Sequence, residues 1–293
     1  IFASTFTTGK IALLYAQPIF LTAIRMFIGG ALLLVFIFFF RRKNFKIKKK
    51  HIPWFVLIAY FHIYLPYLTE FWSLQYLTAA KTCLLYSLSP FVSAIFSYFY
   101  FAEKITWRKV VGLTIGICGF IPVLAAASKG EKLHMAIWFL SWPEIVMFVS
   151  VVSSVFGWII FRKLTKEYKY SALLINGIGM VGGGILAIAT SFIIEYPKNI
   201  PLVSNWLELT KWITLLIITA NIVSYNLYGH LLKKYTATFL AFCGFICPLA
   251  AAVFGWLCLG EAITIEFVFT LFFVSIGLYI FYQEDLRQGY IIK

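Results

Sequence analysis

The sequence predicts an all-α membrane protein in which ten transmembrane helices form two inverted five-helix repeats. Three observations carry this expectation. Of 293 residues, 62% are hydrophobic and only 12% charged, and mean hydropathy is +0.90; a soluble domain runs near half apolar and a quarter charged. Apolar runs long enough for a bilayer core, about 20 residues, alternate with charge clusters, as where Ile19 to Phe40 meets RRKNFKIKKK. The second half also echoes the first at a fixed spacing of 158 residues.

Taken in order, the apolar runs place spans near 1–17, 18–40, 53–76, 79–101, 110–127, 137–161, 171–194, 212–232, 237–258 and 265–283. The first is short for a span. With Ile1 in place of Met and no signal-peptide pattern, the chain is expected to begin partway through a protein. The first repeat covers 1–127, the second 137–283, and residues 284–293 form a cytoplasmic tail.

The basic residues order these spans across the bilayer. Loops 41–52, 102–109, 162–170 and 233–236 and the tail after 283 share one side if spans alternate, and carry 18 Lys/Arg. The opposite loops carry 4: Lys129, Lys132, Lys198 and Lys211. That asymmetry puts both termini in the cytoplasm. It also accounts for the net charge of +14 without a nucleic-acid partner. Cys83, Cys118, Cys243, Cys247 and Cys258 all fall in spans with no accompanying His or acid, so neither a metal site, a cofactor nor a disulfide framework is expected.

The repeat is visible residue by residue. Tyr67 and Tyr225, Thr78 and Thr236, Ala79 and Ala237, Pro90 and Pro248, Glu103 and Glu261, and Gly119 and Gly277 are each 158 apart. Five spans per half invert the second repeat, so the basic EKITWRK is cytoplasmic while GEAITIE, free of Lys and Arg, is external. Inverted repeats recur in secondary transporters, with a site at the repeat interface near the midplane. The pattern P-x(12)-[AG]-E-x-I-T in both halves, together with the early Phe2-ASTF-Phe6, Lys10, Pro18 and Arg25, resembles the EamA repeat of the drug/metabolite transporter superfamily. The resemblance covers nearly the whole chain. It implies a ten-helix transporter whose central cavity is lined by spans 1, 3, 4, 6, 8 and 9, and it puts span 2, with Arg25, at the periphery. Two features depart from the pattern: Gly177 stands where the first half has Arg25, and span 6 carries Glu144.

Candidate site residues follow from charge and polarity inside lipid. His62, Pro66, Thr69, Glu70 and Ser73 share one helix face of span 3, and Thr214, Asn221, Tyr225, Tyr228 and Leu232 share one of span 8. Such stripes are expected to meet across an aqueous cavity. At 1.5 Å per residue, Glu70, Lys10 and Arg25 lie about 10 Å inside the outer ends of their spans, with Lys81 and Glu144 shallower. Glu70 has two open readings, as a substrate contact or as a partner of Lys10, Arg25 or Lys81. Glu144 has the same pairing open to it, with Lys10, Arg25 or Lys81, and is also near enough to the surface to be solvated. The candidate substrate-binding set is Glu70, Tyr67, His62, Trp72, Asn221, Tyr225, Tyr228, Lys10, Glu144, Trp158 and Lys81, with the aromatics offering cation–π faces. Pro90, Pro248, Arg25, Glu103 and Glu261 are expected in gating or structural roles.

An enzyme is not expected. The only Asp is Asp285, and neither H-E-x-x-H, G-x-S-x-G nor a phosphate-binding G-x-x-x-x-G-K-[ST] loop occurs. The expectation is a secondary carrier, with exchange as one mode, of a small polar metabolite in a bacterial inner (plasma) membrane, acting as a monomer or weak homodimer. The substrate options are an amino acid, an amino-acid-derived cation of the S-adenosylmethionine type (carried by one branch of the superfamily it resembles), or a nucleotide-sugar or phosphorylated metabolite. A non-transporting membrane assembly or receptor subunit is the alternative class.

Overall fold

The structure, a computed structural model, describes residues 2–40, 47–101, 106–122, 136–137, 140–198, 200–231, 240 and 244–287. They are almost wholly helical. The segments are α1 (Ser4–Ala12), α2 (Pro18–Phe40), α3 (residues 49–74), α4 (Ala79–Tyr86 continued by Ser89–Phe101), α5 (Trp107–Gly119), α6 (Trp142–Lys166), α7 (Ala172–Ile194), α8 (residues 206–231), α9 (Cys247–Leu259) and α10 (Ile265–Arg287). A two-residue antiparallel pairing, β1 (Ala136–Ile137) with β2 (Leu140–Ser141), precedes α6. Among the described residues seven helices are long and apolar enough to cross a membrane: α2, α3, α4, α6, α7, α8 and α10.

Helix starts follow local side-chain chemistry. Thr78 accepts the amide of Lys81, Ser171 that of Leu174, and Asn205 those of Leu207 and Glu208, satisfying first-turn donors that have no helical partner. The amides of Ile19 and Phe20 at the start of α2 are taken by Glu195, 2.8 Å each, from the far end of α7. The chain leaves α1 earlier than its apolar run suggests. Residues 15–17 instead bridge to 202–204, with Gln17 N donating to Leu202 O at 3.0 Å and Ser204 N to Tyr15 O at 2.9 Å.

The packing is symmetric under exchange of α1–α5 with α6–α10. α2 packs along α7, α5 along α10 and α4 along α9. α3 packs on α6 and α7, just as α8 packs on α1 and α2. Glycine permits the closest of these crossings: a Cβ on Gly277 would stand 2.6 Å from Gly112 O, and one on Gly30 2.7 Å from Val181 N. In lipid, small residues at such crossings let backbones approach and gain dispersion contact.

The same symmetry appears inside the helices. α3 widens to π geometry over Ile58–Tyr64 and α8 over Ile217–Ser224 before each returns to α geometry. α4 breaks at Ser87–Leu88 and resumes at Ser89, one residue before Pro90. α9 starts at Cys247, one residue before Pro248, after a 3-10 turn over Gly244–Ile246. The prolines thus sit at the start of helical segments, where the missing N–H leaves no bond unmade.

Candidate functional site

Two ion pairs close one end of the bundle. Lys10, in the last turn of α1, meets Glu261 just beyond the end of α9 at 2.9 Å and donates to Leu77 O at 2.5 Å. Glu261 also accepts the Ala79 amide at 3.0 Å, so one carboxylate ties α1, the α3–α4 turn and α9 together. Next to it, Lys81 in the first turn of α4 meets Glu144 in the first turn of α6 at 2.7 Å. Glu144 further accepts Ser141 N at 2.6 Å and Ser141 Oγ at 2.9 Å, capping α6. Of the readings open for Glu144, the structure has the pairing with Lys81 and not a solvated carboxylate, because the helix start turns inward toward that lysine.

Away from these latches lies a cavity of about 400 Å3, within the range of small-molecule sites. Its wall comes from α1 (Phe2, Phe6), α4 on both sides of its break (Cys83 to Ser93), α6 (Ser154, Val155, Trp158), the second half of α8 (Val223 to Leu231) and the approach to α9 (Leu240, Gly244, Cys247). Hydroxyls of Tyr86, Ser87, Ser89, Ser93, Ser154, Ser224 and Tyr228 alternate with aromatic faces, and no described lining residue is charged. Ser93 Oγ is buried with no hydrogen-bond partner. Spans 1, 4, 6, 8 and 9 line the cavity as expected, but among the described residues span 3 contributes none.

Span 3 instead forms the layer behind the wall. Glu70 lies in this layer, 6% exposed, and Ser150 Oγ of α6 donates to Pro66 O of α3 at 2.8 Å. Arg25 faces this layer from α2, 1% exposed, although the resemblance had put it at the periphery. Its guanidinium lies 4.7 Å from the centroids of both Tyr67 and Phe71, with Nε and Nη2 unpartnered. Cation–π contact with two rings partly offsets the loss of water there.

The remaining expected residues sort by this layering. Trp158 and Tyr228 line the cavity, their rings 4.3 Å apart. His62 packs edge-on to Trp158 at 4.3 Å and lies 5.5 Å from Tyr225, its ring nitrogens unpartnered. Tyr225 stacks 5.8 Å from Trp158 and lies 5.9 Å from Tyr67. Asn221 donates to the sulfurs of Met26 at 3.1 Å and Met180 at 3.6 Å, with Oδ1 unpartnered. Trp72 pairs with Tyr76 at 5.1 Å, away from the cavity wall. Thr214 is exposed, contrary to its place in the inward stripe. The π turn between it and Asn221 is the reason, since a wider turn shifts everything before it to another face. Glu103 lies outside the described residues.

Tyr86, like Ser93 and Ser154, is a wall residue that sequence reasoning missed. It sits in the apolar run of span 4 beside Leu84 and Leu85. The signal available was its distance of four residues before Pro90, where a helix break turns a side chain into the bundle.

Comparison with known proteins agrees with this architecture. The model of the EamA-like transporter family matches residues 1–125 and 141–283. The S-adenosylmethionine/S-adenosylhomocysteine transporter of Chlamydia muridarum is 35% identical over 100% of this chain and 92% of its own length. That of Chlamydia trachomatis serovar D is 33% identical over 100% of this chain and 89% of its own. The uncharacterized transporter YoaV of Bacillus subtilis is 23% identical over 95% and 92%. A crystal structure that is 17% identical, with TM-score 0.66 over 97% of this chain and 98% of that one, shares the fold. The chain is a multi-pass membrane transporter and belongs to the EamA-like transporter family.

Proposed function

We propose that this protein is a ten-span inverted-repeat carrier that exchanges S-adenosylmethionine for S-adenosylhomocysteine by alternating access, with both termini in the cytoplasm. The observation that carries this reading is the cavity. It has room for a nucleoside-bearing metabolite, aromatic faces for adenine and for a sulfonium, and hydroxyls for ribose, with no charged side chain among its described lining residues. The full-length likeness to the two chlamydial transporters supports the same pair of substrates. In the proposed orientation the latches of Lys10 and Lys81 close the outer end, so the structure corresponds to an inward-facing state.

The two substrates differ by one methyl group and one positive charge. A carrier that loads one and releases the other on each side must accept both charge states, which a bare carboxylate in the wall would hinder. Nucleotide-sugar and phosphorylated substrates fit less well. They need Lys or Arg on the wall, and the two lysines once suited to that, Lys10 and Lys81, are held in ion pairs.

The test is flux in proteoliposomes. Vesicles preloaded with S-adenosylhomocysteine are expected to accumulate labelled S-adenosylmethionine, with competition by either compound and not by methionine or a nucleotide sugar. Absence of exchange under any loading would overturn the proposal.

A further inference from the structure

The end of the bundle where α3 begins carries charge and apolar surface that the transport reading leaves unused. Lys48, Lys49 and Lys50 are exposed there, just before and within the first turn of α3. The turn from α6 to α7 lies against them and adds Lys166 and Lys169, with Glu167 as its one acid. Tyr170 ties the two segments together: its hydroxyl accepts the Lys48 amide at 3.1 Å and bonds His51 Nδ1 at 2.8 Å. The His51 ring also stacks on Tyr168, centroids 4.1 Å apart. Among the described residues none of these five lysines is in an ion pair. One helical turn further in, Lys163 Nζ lies 4.3 Å from the Trp54 ring centroid, and tryptophan and lysine side by side mark the level of the headgroups. Ile52, Val56 and Tyr60 then follow one another along one side of α3, 50%, 61% and 40% exposed.

We propose that this corner binds the phosphate of an anionic phospholipid, with an acyl chain lying along Ile52, Val56 and Tyr60. Unpaired lysines at a helix end attract an anionic headgroup, and lysine meets phosphate as a point charge. The apolar strip beneath them selects a lipid over a free anion, because only a lipid brings a chain to cover it. Tyr170 is a positioning residue in this site. It holds the lysines of α3 beside those of the α6–α7 turn, so one phosphate meets charge from two segments. The proposal involves neither the cavity nor its substrate, and it stands or falls apart from the exchange reading.

The experiment is native mass spectrometry of the purified full chain titrated with phosphatidylglycerol or with phosphatidylcholine of the same acyl chains. Wild type is expected to hold one phosphatidylglycerol at least about tenfold more tightly than phosphatidylcholine. Lys48→Ser/Lys49→Ser/Lys50→Ser and Lys166→Ser/Lys169→Ser should each weaken it, by about fivefold per lysine removed. Tyr170→Phe keeps every charge and should still weaken it severalfold. Lys211→Ser, whose lysine pairs with Glu208 at 2.6 Å, should change nothing. The lysines are at the surface, so their variants read the site even where Tyr170→Phe lowers the unfolding temperature. Equal retention of the two lipids, or lysine variants that keep the wild-type preference, would overturn the proposal. Displacement of the lipid by equimolar inorganic phosphate or glycerophosphoglycerol would overturn it too, since the site would then take a soluble anion. A folded Tyr170→Phe protein that binds as tightly as wild type would overturn the positioning role.

Discussion

Lys81 and Glu144 join α4 to α6 through a 2.7 Å ion pair almost sealed from solvent, with 4% and 2% of the side chains exposed. Removing one member leaves the other buried and unpaired, which costs about 3–5 kcal/mol, whereas neutralising both removes the conflict. Lys81→Met is therefore expected to lower the unfolding temperature in detergent sharply. Lys81→Met/Glu144→Gln should recover much of the loss, since glutamine still accepts the Ser141 amide. A double variant no more stable than the single one would assign the cost to packing of the lysine stem.

The Lys10–Glu261 latch is more exposed, with 24% and 10% of the side chains open, and so is the weaker closure. In the proposed orientation, Lys10→Ala should release the outer end more readily than it unfolds the protein. Labelling of Cys83 by a membrane-impermeant thiol reagent from the outer face, read on its own peptide by mass spectrometry, should speed up severalfold over wild type. An unchanged rate would mean that the Glu261 bond to Ala79 alone keeps that end shut.

Trp158 presents its ring to the cavity beside Tyr228. Trp158→Leu should weaken S-adenosylmethionine binding by about tenfold, the range of a desolvated cation–π contact. Trp158→Phe should keep most of the affinity. Equal binding by the leucine variant would remove Trp158 from the site.

The crossing of α5 and α10 contributes no described residue to the cavity wall and depends on Gly112 and Gly277. Gly277→Val forces the helices apart and should cost roughly 1–3 kcal/mol, as overpacking does. Thermal unfolding should register that loss, while the substrate affinity of the protein that remains folded stays at the wild-type value.

Much of the bundle was legible because lipid imposes a one-dimensional code: apolar length for spans and spacing for the repeat. The alternation that puts Asn221 and Tyr225 inside is of this kind. What was not legible depends on tertiary geometry. Lys10, Arg25 and Lys81 were candidate partners of both Glu70 and Glu144; Lys81 took Glu144, but Lys10 took Glu261, because pairing is settled by which helix ends meet. Thr214 was misread since a 3.6-residue period assumes an unbroken helix, and nothing in Ile217–Ser224 announces the wide turn. Tyr86 stayed hidden because its place on the wall needs the break in α4, which the apolar run of span 4 does not announce.

The wide turns of α3 and α8 put the same local change of helix register into both halves, at Ile58–Tyr64 and Ile217–Ser224. Where the hydrogen bond runs from residue i to i+5, the helix after the turn presents a face rotated from the one before it. Each half therefore changes the face it shows the bundle partway along its third helix, with His62 inside one wide turn and Asn221 inside the other.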